Sequence, residues 1–93
     1  MTVGLLSVEL FLAQSRSLKD KRMVLRRLKD RLKAGNVSVA EVAHQDLWQR
    51  AGLAVAAVGS DQGIVEKTLA SALQEIERLE PGLVTASHFE YLN

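Results

Sequence analysis

The order of apolar and polar positions divides the chain into strands and helices. Residues 2–12 (TVGLLSVELFL) are almost continuously apolar, which is typical of a strand at the centre of a sheet. Residues 36–43 (NVSVAEVA) alternate with a period of two, and residues 50–59 (RAGLAVAAVG) are small and apolar. Residues 83–92 (LVTASHFEYL) form a last strand, so four strands are predicted.

Between the first two strands the pattern changes to the helical period. Ser17 and Asp20 match the S-x-x-D capping pattern, in which side chains satisfy free amides at the start of a helix. The helix is predicted to run to about Ala34, because Gly35-Asn36 tolerates the left-handed conformation that ends helices.

A second helix is predicted to begin at Ser60 or Asp61 and to end at Pro81-Gly82. Its apolar positions fall at helical spacing: Val65, Leu69, Leu73 (or Ala72), Ile76 and Leu79. The order β-α-β-β-α-β, with right-handed crossovers, leads to an antiparallel sheet ordered 4-1-3-2 with both helices on one face. The sequence therefore predicts a single α+β domain over residues 1–93, a ferredoxin-like sandwich.

Composition agrees with one soluble domain. The chain of 93 residues is 47% hydrophobic and 25% charged, which suits a single modest core. It has no cysteine, so disulfides, thiolate metal sites and thiol catalysis are excluded. The apolar N-terminus carries Glu9 and lacks a basic region, and no apolar run approaches the roughly 20 residues of a membrane helix. We therefore expect a cytoplasmic protein without a membrane partner.

The net charge of +1 conceals a strong asymmetry. Residues 16–33 hold nine basic and two acidic side chains, a local charge of +7. The rest of the chain holds three basic and nine acidic side chains, a charge of −6. Partners are therefore expected to respond to this local field rather than to the total charge.

On a helical wheel, five of these cations form a continuous row spaced 3, 4, 3 and 4 residues apart, about 21 Å long. Any amphipathic helix needs a solvated face, and Lys and Arg are good helix formers. A purely solubilising face usually mixes charge signs, however, so the alternative is a footprint for nucleic-acid phosphates, with RNA as the expected partner. This row, hereafter the basic stripe, consists of Lys19, Arg22, Arg26, Lys29 and Lys33.

A smaller anion site is a further hypothesis at the start of the same helix. Arg16, Ser17 and the first helix amides are suited to hold one phosphate, and Lys21 lies beside them. On the wheel, however, Lys21 falls among the apolar residues. Its alternatives are to extend its amine past the sheet end or to pair with a carboxylate such as Glu9 or Glu41.

The polar segment of residues 44–50 contains the chain's one tryptophan. Packing over an open end of the core is the expected role of Trp48, and a stacking or partner contact is the alternative. Asp46 and Arg50 are expected to form a local ion pair. The residues of this segment predicted to contact a partner are Asp46, Trp48, Gln49 and Arg50.

The strands supply apolar groups to both faces of a sheet that has helices on only one. An uncovered apolar face is usually an interface, so a homodimer or docking onto a partner is expected. The apolar groups concerned are Val3, Leu5, Leu6, Val8, Leu53, Ala54, Val55 and Val58.

Catalytic and cofactor motifs are not apparent. His44 and His88 are isolated in the sequence, and neither a metal-ligand spacing nor a Gly-rich phosphate loop is present. The strand of residues 50–59 lacks the aromatics by which RNA-recognition motifs stack bases. Acylphosphatase shares the predicted topology, but its catalytic asparagine has no counterpart in residues 53–58. We therefore expect no enzyme activity, no metal and no cofactor.

Three stretches, SLKDKRMVLRRLKDRLK, NVSVAEV and QDLWQRAGLAVAAV, resemble the YlxP-like family of uncharacterised small bacterial proteins. The resemblance covers nearly the whole chain and is loose only in the last strand. The family's genes tend to lie beside those for translation initiation and for an assembly protein of the ribosome-binding factor A type, which implies by association a role near ribosome maturation. The matching positions, to which no catalytic role is attached, are Ser17, Leu18, Lys19, Lys21, Arg22, Asn36, Val37, Ser38, Glu41, Asp46, Trp48, Gln49 and Arg50.

From the sequence we therefore expect a small accessory protein that binds RNA or a ribosomal particle through its first helix. The alternatives are a protein-interaction module, which dimerises through its sheet and docks an acidic partner, and a domain that binds a small anion or regulatory ligand at Arg16 and Ser17.

Overall fold

The computed structural model describes all 93 residues and contains the six predicted elements in the predicted order. The sheet order is β2-β3-β1-β4 and every pairing is antiparallel, which is the order 4-1-3-2 read from the other edge. The α+β ferredoxin-like prediction is therefore confirmed. The elements are β1 (Thr2–Phe11), α1 (Leu18–Leu32), β2 (Ser38–Ala43), β3 (Arg50–Gly59), α2 (Gln62–Leu79) and β4 (Val84–Leu92).

The start of α1 is fixed by the predicted capping pair. The Ser17 hydroxyl accepts a hydrogen bond from the Asp20 amide at 3.1 Å, and the Asp20 carboxylate accepts one from the Arg16 amide at 2.9 Å. At the other end, α1 tightens into a 3₁₀ turn over Lys33–Gly35 before Asn36 takes the left-handed conformation, with φ of 59°. The helix thus ends where the sequence predicted.

The second helix shows the same agreement. The Asp61 carboxylate caps α2 by accepting from the Ile64 amide at 3.0 Å, and Gly82 has φ of 83° just after the helix. Neither helix is both long enough and apolar enough to cross a membrane. The buried residues of α2 are Val65, Leu69, Ala72 and Ile76.

The core lies between the helices and one face of the sheet. Alternate residues of β1 point toward the helices, and Leu6, Val8 and Leu10 are almost completely buried. Gly4 lies on the same face against α2, where a β-carbon would come within 2.4 Å of Val65 Cγ1. The core is therefore formed by every second residue of β1, the set that points toward the helices.

The other residues of β1 and β3 point to a face without helices, hereafter the open face. The strands supply apolar groups to both faces, as the sequence indicated. Among those named above, Leu6, Val8, Leu53 and Val55 lie on the helix side, whereas Val3, Leu5, Ala54 and Val58 lie on the open face.

Candidate nucleic-acid interface

The flank of α1 that faces α2 is electrically neutralised. Arg27 forms an ion pair with Glu80, and Arg31 Nη2 lies 3.5 Å from Glu75 Oε1. A hydrogen bond from Arg78 is the main cause that holds the pKa of Glu75 below its ordinary value. Cations on this flank are therefore matched by carboxylates of the same chain.

The basic stripe runs along the opposite flank of α1, and none of its five members forms an ion pair. Lys29 is partly buried, while the other four are exposed. Asp30 is the acidic residue nearest to them along the helix, and it also forms no ion pair. The stripe thus carries positive charge that no carboxylate of the same chain neutralises by direct contact.

The stripe lies along one side of the molecule. The helix α1 contacts β2, whereas α2 contacts β1, β3 and β4. Since the neutralised flank of α1 faces α2, the stripe faces away from α2, toward the side where β2 forms the edge of the sheet. An elongated polyanion can therefore approach it without meeting α2.

Lys21 is turned inward, unlike the stripe, and its side chain is only 1% exposed. Its ammonium donates to the carbonyl oxygens of His44 at 2.9 Å, Gln45 at 3.2 Å and Arg50 at 3.2 Å. These bonds use all three protons, so Glu41 Oε2, 2.9 Å away, neutralises the charge without accepting a hydrogen bond.

The predicted alternative of Lys21 pairing with Glu41 is therefore the one observed. The inclusion of Lys21 in an anion site is wrong, because its ammonium is enclosed and has no free proton for a ligand. Ser17 is also engaged, since its hydroxyl caps the helix beside the negative charge of Asp20. Of the predicted anion-binding residues, Arg16 alone has a charged group that is exposed and free of an ion pair.

The loop between β2 and β3 is held against the start of α1. Lys21 binds its main chain, and Gln49 Nε2 donates to the carbonyl oxygens of Ala13 at 3.3 Å and Ser15 at 3.2 Å. The Leu12 amide donates to the Gln49 carbonyl oxygen at 2.7 Å. The two loops therefore form one end of the molecule, where the loop containing Trp48 lies beside the loop containing Arg16.

Trp48 is 52% exposed, so the prediction that it packs over the core is wrong. The buried Lys21 and the main-chain carbonyls it binds occupy the inner side of the loop, which leaves the outer side to the indole. The neighbouring Leu47 is 46% exposed. Two apolar side chains are therefore presented to solvent at the end of the molecule where the basic stripe begins.

The expected ion pair between Asp46 and Arg50 is also absent. Arg50 begins β3 and its guanidinium lies 3.7 Å from Glu9 on the adjacent β1, whereas Asp46 forms no ion pair. His44 Nε2 lies 2.9 Å from the same Glu9 carboxylate. The pairing of β1 with β3 thus gives Arg50 the partner Glu9, which the spacing of residues along the sequence did not indicate.

Comparison with known proteins relates this chain to one family. Residues 3–88 match the family model described as "Protein of unknown function (DUF503)". The chain is 38% identical over 76 residues to the uncharacterized protein YlxP of Bacillus subtilis (strain 168), a match that covers 81% of this chain and 83% of YlxP.

Solved structures of much lower identity share the fold. The designed protein Foldit4 superposes with a TM-score of 0.57 at 13% identity, over 99% of this chain and 96% of its own. SnoaB, a cofactor-independent oxygenase from Streptomyces nogalater, superposes with a TM-score of 0.55 at 11% identity, over 99% and 91%. At such identities the similarity establishes the architecture and carries no activity across.

Proposed function

Since the chain belongs to the DUF503 family, we propose a function from its own surface: it is a cytoplasmic RNA-binding accessory protein whose basic stripe holds phosphates. The observation that carries this proposal is the contrast between the two flanks of α1. Arg27 and Arg31 have carboxylate partners within the chain, whereas the five cations of the stripe have none. A polyanion would supply the missing negative charge.

The stripe forms no ion pair that helps the domain to fold, and of its members only Lys29 lies in the last turn of α1, where the helix dipole favours a cation. Its neighbours are like charges three or four residues apart, and each such pair costs a few tenths of a kcal/mol. Exposed cations without partners contribute no ion-pair stabilisation in return. The five side chains are therefore better explained by a binding role than by stability.

The exposed indole of Trp48 favours a single strand over a duplex. Single-stranded nucleic acids are bound by combining a cationic track for the backbone with an aromatic platform, where stacking is worth about 1–3 kcal/mol per base. The loop that carries Trp48 is fixed to the first turn of α1 through Lys21, close to where the stripe begins at Lys19. One strand can thus contact both features.

Among RNAs, ribosomal RNA and its precursors are the first to test. The resemblance to the YlxP-like family implies a role near ribosome maturation, because of the genes that lie beside the family's own. Phosphate binding by the stripe does not depend on which RNA is the partner.

The direct experiment measures binding of a fluorescently labelled single-stranded RNA by anisotropy. Arg22→Gln with Arg26→Gln removes two charges from the stripe, and Arg27→Gln with Arg31→Gln removes two charges from the other flank as a control with the same net charge. We expect a clear loss of affinity in the stripe variant only. Equal losses in both variants, or no binding by the wild type, would refute the proposal.

The open face favours a second candidate function, a protein-interaction module whose stripe docks an acidic protein surface. Capture of partners from a cell lysate separates the two candidates. Partners that disappear after ribonuclease treatment support the RNA proposal, whereas partners that persist and depend on the stripe support the protein module.

A further inference from the structure

The open face of the sheet carries apolar side chains that no part of the chain covers. Val58 is 58% exposed and Leu92 is 73% exposed, and both lie on this face. Most of the remaining apolar groups lie on β1 and β3, the two central strands. The apolar residues of the face include Val3, Leu5, Phe11, Ala54, Ala56, Val58, Ala86 and Leu92.

We propose that a second copy of this chain covers the open face, related by a two-fold axis that runs parallel to the strands between β1 and β3. Such an axis places β1 of each copy on β3 of the other. Leu5 pairs in register with Ala56, so each leucine would face the small alanine of the second copy. Ser7 and Ala54 pair in the same way, which allows a close approach at the centre.

The sizes of the side chains make the face complementary to itself. On the open face β1 presents the larger groups Val3, Leu5 and Phe11, whereas β3 presents Ala54 and Ala56 through the middle of the sheet. Leu5 of one copy would fill the shallow strip of the other, as the inner faces of stacked sheets interdigitate, while Val3 would pack on Val58 and Phe11 on the stem of Arg50. Two-fold symmetry requires this kind of self-complementarity.

The charges on the face favour the same axis. On the two central strands, Arg50 and Glu9 lie together at one end and the apolar residues Val3 and Val58 lie at the other end. His88 and Glu90 also lie on this face, on the edge strand β4, where both side chains are mostly exposed. An axis parallel to the strands brings the two charged ends together, so Arg50 of each copy meets the strand that carries Glu9 of the other. An axis perpendicular to the strands would bury these charges against apolar groups, which is costly.

The area of the face is sufficient for a specific dimer. The four strands have ten, six, ten and nine residues, and at about 3.3 Å by 4.8 Å per residue each copy would bury on the order of 550 Å². The total of about 1,100 Å² exceeds the roughly 1,000 Å² expected of a specific interface. The helices lie on the other side of each sheet, so both basic stripes would remain accessible.

The experiment is sedimentation velocity over a series of concentrations up to the high micromolar range. We expect the wild type to change from monomer to dimer, and Ala56→Arg to stay monomeric because its side chain would meet Leu5 of the second copy. Ala70→Arg, on the exposed surface of α2, adds the same charge away from the face and should dimerise like the wild type.

A monomeric wild type at the highest concentration would overturn the proposal and leave the face to a different protein. An Ala56→Arg variant that dimerises normally would also overturn it, because the interface would then lie elsewhere. If circular dichroism shows that Ala56→Arg fails to fold, Val58→Lys at an already exposed position provides the same test. RNA binding by the stripe is independent of either result.

Discussion

Replacement of Lys21 by Met is expected to be among the most damaging single changes in the molecule. Methionine retains the apolar stem inside the core but removes the ammonium. Glu41, whose side chain is 17% exposed, then keeps a carboxylate without a counter-charge, and the carbonyl oxygens of His44, Gln45 and Arg50 lose their donor. The cost therefore comes from the groups that remain rather than from lost packing.

The size of the expected loss in stability follows from the burial of the ion pair between Lys21 and Glu41. Removal of one partner of a buried ion pair typically costs 3–5 kcal/mol, and Lys21 is 1% exposed. A domain of 93 residues has a total stability of about 5–14 kcal/mol. We therefore expect Lys21→Met to lose about 3 kcal/mol or more and to lower Tm by about 12 °C or more.

Urea denaturation followed by circular dichroism measures this loss, and the fluorescence of Trp48 reports separately on the loop that Lys21 holds. Lys19→Met, two positions earlier on the exposed stripe, is the matched control and should change stability by less than about 0.5 kcal/mol. Adding Glu41→Leu to Lys21→Met should recover part of the loss, because it removes the stranded carboxylate. A cost below about 1 kcal/mol for Lys21→Met would refute the assignment of Lys21 as a buried structural cation.

Three further changes test other parts of the structure. Gly4→Ala should cost about 1–3 kcal/mol in urea denaturation, since its β-carbon would overlap α2, whereas Gly35→Ala meets no atom within 4 Å and should cost far less. Ser17→Ala should cost about 1 kcal/mol and Ser17→Gly only a few tenths, and equal costs would argue against the cap. The lowered pKa of Glu75 means that its contribution to stability is present above its ordinary pKa and is lost as the pH falls through the lowered value. NMR titration should show that the pKa of Glu75 rises in Arg78→Ala, and an unchanged pKa would contradict the assigned cause.

Local patterns predicted the elements and their ends because those depend on nearby residues. The capping pair of Ser17 and Asp20 and the left-handed Asn36 both follow from short-range chemistry, and both are observed. The strand order followed from the element order and the handedness of crossovers. Lys21 stands out in the sequence because it interrupts the apolar side of the helical wheel.

The features that the sequence did not predict depend on contacts between distant segments. The carbonyls that bind Lys21 lie more than twenty residues away, and main-chain acceptors leave no trace in the residue types. The same applies to Glu9, which strand pairing brings to Arg50 and the loop after β2 brings to His44. Trp48 is exposed because Lys21 and the carbonyls it binds occupy the inner side of the β2–β3 loop. The position of this loop is set by those distant contacts, so the sequence did not reveal the exposure.

The salt dependence of RNA affinity is the decisive test of the proposal that the unpaired cations of the basic stripe hold phosphates. If all five stripe residues contact phosphates of a single strand, log affinity should fall with log salt with a slope near −3.5, and Arg22→Gln with Arg26→Gln should reduce the slope to about −2.1. Arg27→Gln with Arg31→Gln should leave the slope unchanged. A slope near zero, or the same reduction in both double variants, would contradict the account.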